Sequence, residues 1–133
     1  MPITTETLTT FDESLARCGG NPAFLERFYA IFLNSSEKVR QKFVHTDFTR
    51  QKLALRMSLN VMRHAAEGGP EELAALAERH SSRDLDIGAE LYDLWLDSLL
   101  KAVEECDPLF TPRVAAAWEV VMMVGMKYLL EQY

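Results

Sequence analysis

Apolar positions recur along this chain with the period of a helix and almost never with the alternation of a strand. In NPAFLERFYAIFL, Phe24, Phe28, Ile31 and Phe32 fall at i, i+4, i+7 and i+8, which predicts a heavily buried helix with Tyr29 at the edge of its stripe. Ahead of it, Thr5 to Arg17 form a weakly amphipathic helix. CGGNP (Cys18 to Pro22) breaks that helix with two glycines and starts the next with Asn-Pro. Behind it, NSSEKVRQKF (Asn34 to Phe43) restarts after Asn34 and the serines as a short helix, followed by an irregular corner, VHTDFT (Val44 to Thr49). A longer helix is predicted from about Thr49 to Glu67, with Gln51, Leu55, Leu59 and Met62 on one face, stopped by GGP at Gly68 to Pro70.

Pro70 opens a further helix, ELAALAERH, in which Leu73, Leu76, Ala77 and His80 share one face. SSRDLDIG (Ser81 to Gly88) reads as a loop. A strongly apolar helix follows from about Ala89 to Glu105 and is closed by CDPLFTP (Cys106 to Pro112). There Thr111 caps, and Pro112 begins, the last helix, RVAAAWEVVMMVGMKYLLEQY. That helix is apolar on more than one face, so it is expected to run through the core rather than along the surface. No repeat, low-complexity tract or linker interrupts the pattern. The expectation is one all-α domain over residues 1–133.

Composition agrees: 133 residues, 48% apolar and 26% charged, suit one core. A net charge of −6 with no basic cluster argues against nucleic-acid phosphate and anionic membranes as partners, leaving single Arg and Lys side chains for single anionic groups. Cys18 and Cys106 are far apart in sequence, which favours two unpaired thiols over a disulfide or zinc site and suits a cytoplasmic protein. MPITTETLTT lacks a basic region before an apolar run, and no apolar stretch reaches the roughly 20 residues of a membrane helix.

His80 is the first chemical question. An inward-pointing histidine on an apolar stripe is either a core residue with both nitrogens satisfied by backbone partners, or a metal ligand. The residues of that helix leave both open.

Taken in order, FYAIFLNSSEKVRQKF, RQKLALRMSL, LAERH, LYDLWLDSLL and TPRVAAAW resemble a bacterial single-domain globin from its second helix to its last, of the flavohaemoglobin type without the reductase. The anchors are Phe43 at the end of the short third helix, His80 closing LAERH, and Ala117 with Trp118 early in the final helix; His80 lies 29 positions after Gln51. The resemblance implies a globin-like fold of about six to eight helices around a haem pocket, with haem b (iron protoporphyrin IX) as cofactor. It makes His80 the proximal iron ligand through a neutral imidazole whose other nitrogen is held by a backbone carbonyl of its own helix, with Leu76 lining the same pocket. Phe43 then stacks on the porphyrin, where the residues alone allow simply a core aromatic. Tyr29 and Gln51 stand above the iron and Leu55 fills the pocket one turn beyond; a surface tyrosine is the other reading of Tyr29. A phenol and an amide donating to dioxygen in a dry pocket slow its release, while carbon monoxide, being less polarised, gains less.

His64 follows Gln51 by 13 residues, roughly 20 Å farther along the helix, and cannot reach the same iron. His45, two residues past Phe43, is placed either near a haem propionate or in solvent. The segment from His80 to Tyr92 is a residue or two longer than in flavohaemoglobin-type globins, so contact of Tyr92 with His80 is an open point. No glutamate aligns with the proximal carboxylate of those enzymes, and Ser36 stands where many globins carry proline, a tolerable change at a helix start.

Three functions follow. The first is reversible binding of dioxygen, nitric oxide or carbon monoxide for oxygen transport, storage, scavenging or sensing. The second is a nitric oxide dioxygenase, with peroxidase-like side activity, that draws electrons from an external reductase. The third is a haem-free globin module that binds a partner in stress signalling. Monomer and homodimer both fit, and Met122, Met123 and Met126 serve either core filling or a helix interface.

Overall fold

The computed structural model describes residues 3–68 and 89–131. Among these, six helices account for nearly all of the secondary structure: α1 (Thr5–Gly19), α2 (Phe24–Ser35), α3 (Glu37–Lys42), α4 (Phe48–Gly68), α5 (Ala89–Cys106) and α6 (Pro112–Glu131). The all-α expectation holds. The ELAALAERH helix, with Leu76 and His80, and the loop after it lie outside the described residues.

Caps set the boundaries. Thr4 accepts the Thr7 amide at 3.1 Å and starts α1, which runs two residues past the expected Arg17, through Cys18 to Gly19. Asn21 Oδ1 accepts the Ala23 amide at 2.9 Å, and this turn delays α2 to Phe24. Ser36 accepts the Lys38 amide at 3.1 Å and opens α3, so serine serves there as a cap. Asp47 Oδ1 accepts the amides of Thr49 at 3.0 Å and Arg50 at 3.4 Å, so α4 starts at Phe48 and the aspartate of VHTDFT is its cap. Thr111 and Pro112 open α6 as expected, with the Val114 amide donating to Thr111 Oγ1 at 3.3 Å.

Helix α2 packs on α5, α4 and α1 each pack on α6, and α5 packs on both α6 and α1. Trp118 of α6 is fully buried at the centre, with the Phe11 ring edge-on at 4.6 Å and Phe24 at 6.1 Å. Such pairs contribute about 0.5–1.5 kcal/mol each beyond the area they bury. Leu59 and Met62 of α4 and Leu99 and Val103 of α5 complete this centre.

The last helix departs from expectation. Val114, Ala117, Trp118, Val121 and Met122 face the core, but Val120, Met123 and Val124 stand on the outside, Met123 at 53% exposure. Among the described residues, α1, α4 and α5 pack on the Trp118 side of this helix, and Val120, Met123 and Val124 form a second apolar stripe that is exposed. Met122 fills the core, Met123 does not, and Met126 lies outside the described side chains.

A buried polar network ties the two ends of the described chain together. Asp107, just past α5, has a fully buried side chain that receives Arg17 Nε at 2.5 Å, Arg17 Nη2 at 2.9 Å, Ser14 Oγ at 2.6 Å and the Leu109 amide at 2.9 Å. Ser14 Oγ in turn accepts the Trp118 indole N–H at 2.9 Å. Burial pushes the Asp107 carboxyl up, but the hydrogen bonds from Arg17 and Ser14 and the Arg17 charge outweigh it and hold it below its ordinary value. Beside this network Cys18 and Cys106 are both buried and free, as expected. Burial, with the negative charge of Asp107 and the nearby Cys106, pushes the Cys18 thiol up to about 12, so it stays protonated and inert.

Candidate functional site

The chain from α2 to the first turns of α4 builds one aromatic wall. Tyr29, placed at the edge of the α2 stripe by sequence, is in fact buried at 5% exposure, which removes the surface-tyrosine reading. Its ring lies edge-on to Phe43 at 6.1 Å, to Phe48 at 5.4 Å and to Phe28 at 4.8 Å. Phe43, the C-terminal cap of α3, is buried and also meets Phe32 at 5.9 Å and Phe48 at 6.1 Å. Helix α3 holds Phe43 in place through Arg40, which pairs with Glu37 and donates from Nη1 to the Leu33 carbonyl at the end of α2 at 3.1 Å.

The Tyr29 hydroxyl donates to the backbone carbonyl of Gln51 at 3.3 Å. That carbonyl sits in the first turn of α4 because Asp47 fixes where the helix starts. The Gln51 side chain is half-buried, and one turn on Leu55 is buried at 6% exposure. Tyr29, Phe43 and Gln51 are thus brought together by direct contacts, and Leu55 continues the same face of α4. Burial pushes the Tyr29 hydroxyl well above the ordinary tyrosine range, so near neutral pH it is an uncharged donor.

The remaining expected residues are distributed differently. Tyr92 is buried in the first turn of α5, and His45 is exposed in the corner after Phe43. His64 is exposed far along α4, consistent with its exclusion from the site. His80 and Leu76 lie outside the described residues. Periodicity does not pick out Phe48, because VHTDFT carries no helical repeat of its own. Its signal was the preceding Asp47, a helix cap that makes Phe48 the first residue of α4 and aims it at Tyr29.

Chemically, the wall is a closed aromatic surface with one buried phenol and a half-buried amide at its α4 edge. Such a surface suits a flat apolar group carrying a small polar ligand, since the rings exclude water and the hydroxyl supplies a hydrogen bond. The residues present fit a haem on that count.

The architecture has a solved counterpart. The chain superposes with a TM-score of 0.89, at 38% sequence identity, on the crystal structure of a Pseudomonas aeruginosa PAO1 protein described as structurally highly homologous to a human hemoglobin. The match covers 96% of this chain and 98% of that one. The chain belongs to the same family as that protein, and its fold is globin-like. No protein-family model and no curated protein matches the chain. No described helix is long and apolar enough to cross a membrane.

Proposed function

We propose that this protein is a haem-binding globin that takes dioxygen or a related diatomic molecule reversibly. One observation carries the reading: within a globin-like fold, Tyr29, Phe43 and Gln51 converge on a buried aromatic wall that α4 extends through Leu55. When bound, a haem supplies an iron centre with a position for a diatomic ligand. His80 would hold the group from the proximal side, with Leu76 beside it, and Phe43 would lie against the macrocycle.

Tyr29 provides the polar contact. Its present bond to the Gln51 carbonyl is long at 3.3 Å, so turning the hydroxyl toward a ligand gives up only a weak interaction. Phe28, Phe43 and Phe48 pack around the ring and hold its position while the hydroxyl changes partner. Burial pushes the Tyr29 hydroxyl up, so the phenol stays protonated throughout.

Optical spectra of the purified protein, ferric, dithionite-reduced and carbon-monoxide-bound, test this reading beside His80→Ala. The expected result is a Soret band that shifts with reduction and with carbon monoxide in the parent and is lost or altered in the variant. Absence of co-purified haem, with added hemin binding equally to both proteins, would remove the proximal assignment and favour a haem-free module.

A further inference from the structure

Away from the aromatic wall, α1, α2 and α4 enclose a cleft of about 180 Å³ that is partly open to solvent. Its floor is apolar: Phe24, Leu25 and Leu59 are buried and Leu15 is half-buried. Arg56 and Asn60, one turn apart on α4, form the polar rim, with Asn60 Nδ2 donating to the Arg56 carbonyl at 3.2 Å. No lining residue is acidic.

Arg17, Arg27, Arg40, Arg63 and Arg113 each pair with a carboxylate of this chain, whereas the exposed guanidiniums of Arg50 and Arg56 pair with none among the described residues, and of these two only Arg56 lines the cleft. In a chain with a net charge of −6, a cation left without a partner beside an apolar floor is complementary to an anion that brings its own apolar tail. A dry cavity of ~150 Å³ accepts a benzene molecule, so this cleft has room for a short alkyl or single-ring tail.

We propose that the cleft between α1, α2 and α4 binds a small organic carboxylate, its head group on Arg56 and its tail against Leu15, Phe24, Leu25 and Leu59. The site lies apart from the Tyr29 wall and does not depend on the haem reading. Gly19, also at the cleft, offers a means of closing it: a Cβ placed there meets nothing within 4 Å, and Leu is the better helix former.

The test is a titration of the purified protein with hexanoate, followed by amide NMR shifts, with hexan-1-ol as the uncharged counterpart. Saturable shifts at Gly19, Phe24, Leu59 and Asn60 are expected. Affinity should fall at least about tenfold in Arg56→Gln and for hexan-1-ol, because a charge-assisted pair is lost in each case. Gly19→Leu should abolish binding while thermal melting shows the fold intact. The proposal is overturned by shifts that do not saturate, by equal binding of acid and alcohol, or by shifts centred on Tyr29 and Phe43 that persist in both variants.

Discussion

Asp107→Ala is expected to lower the unfolding free energy by about 3 kcal/mol, at the lower end of the range for removing one partner of a buried ion pair. The side chain of Asp107 is fully buried, while Arg17 keeps 25% of its own exposed and can recover some hydration once alone. The lower end follows from that asymmetry. Ser14 cannot recover, because it and Trp118 stay buried and the serine hydroxyl loses the carboxylate it donates to. For a chain of this length the melting temperature should drop by about 10 °C. Asp107→Asn keeps the shape and an acceptor but not the charge, and should lose less. Urea unfolding of the three proteins is the measurement; a loss below about 1 kcal/mol for the alanine variant would mean that the network orients the helices without stabilising them.

The same network has a pH signature. Because the Asp107 carboxyl is held below its ordinary value in the folded state, its contribution is complete above the pKa of an unfolded aspartate. It is lost as the pH falls through the depressed folded value, where the carboxylate finally takes a proton. Stability measured down into the acid range should therefore fall more steeply in the parent than in Asp107→Ala, the two curves converging at the lowest pH.

This network also marks where sequence reading stops. Helical period together with Gly, Pro and cap signals locates α2, α4, α5 and α6 to within a few residues, because one face of each is buried and the pattern repeats locally. Asp107, Ser14 and Trp118 make no such pattern: Asp107 stands 93 positions from Ser14, and Trp118 104 positions from it. Ser14 carried a hint, lying three residues after Phe11 and four before Cys18 on the buried stripe of α1, where a hydroxyl needs a partner. The outer stripe of α6 is not legible in sequence for a related reason. An all-round apolar helix predicts burial on all sides, but whether a neighbour covers each side is a property of the assembled fold. At the candidate site, Tyr29, Phe43 and Gln51 are named by the resemblance, and the fold brings them to one wall. The Tyr29 bond to the Gln51 carbonyl is not legible in sequence, since it depends on where Asp47 starts α4.

Tyr29→Phe should separate the chemistry of the site from its packing. The substitution keeps the ring among Phe28, Phe43 and Phe48 and removes only the hydroxyl, whose structural partner is a carbonyl at 3.3 Å. Loss of so long a bond is expected to cost about 1 kcal/mol of stability or less. On the proposed function the effect on dioxygen is far larger. A hydrogen bond to a partly charged acceptor in a dry pocket contributes about 1.5–3 kcal/mol, so dissociation of dioxygen should quicken roughly ten- to hundredfold. Carbon monoxide, which gathers little negative charge, should leave at nearly the parent rate. The phenol is held neutral by burial, so the difference between the two proteins should not vary with pH across the neutral range. Stopped-flow displacement of each ligand from both proteins decides the matter. Equal acceleration for dioxygen and carbon monoxide would assign Tyr29 a packing role, and unchanged rates for both would mean that its hydroxyl never leaves the Gln51 carbonyl.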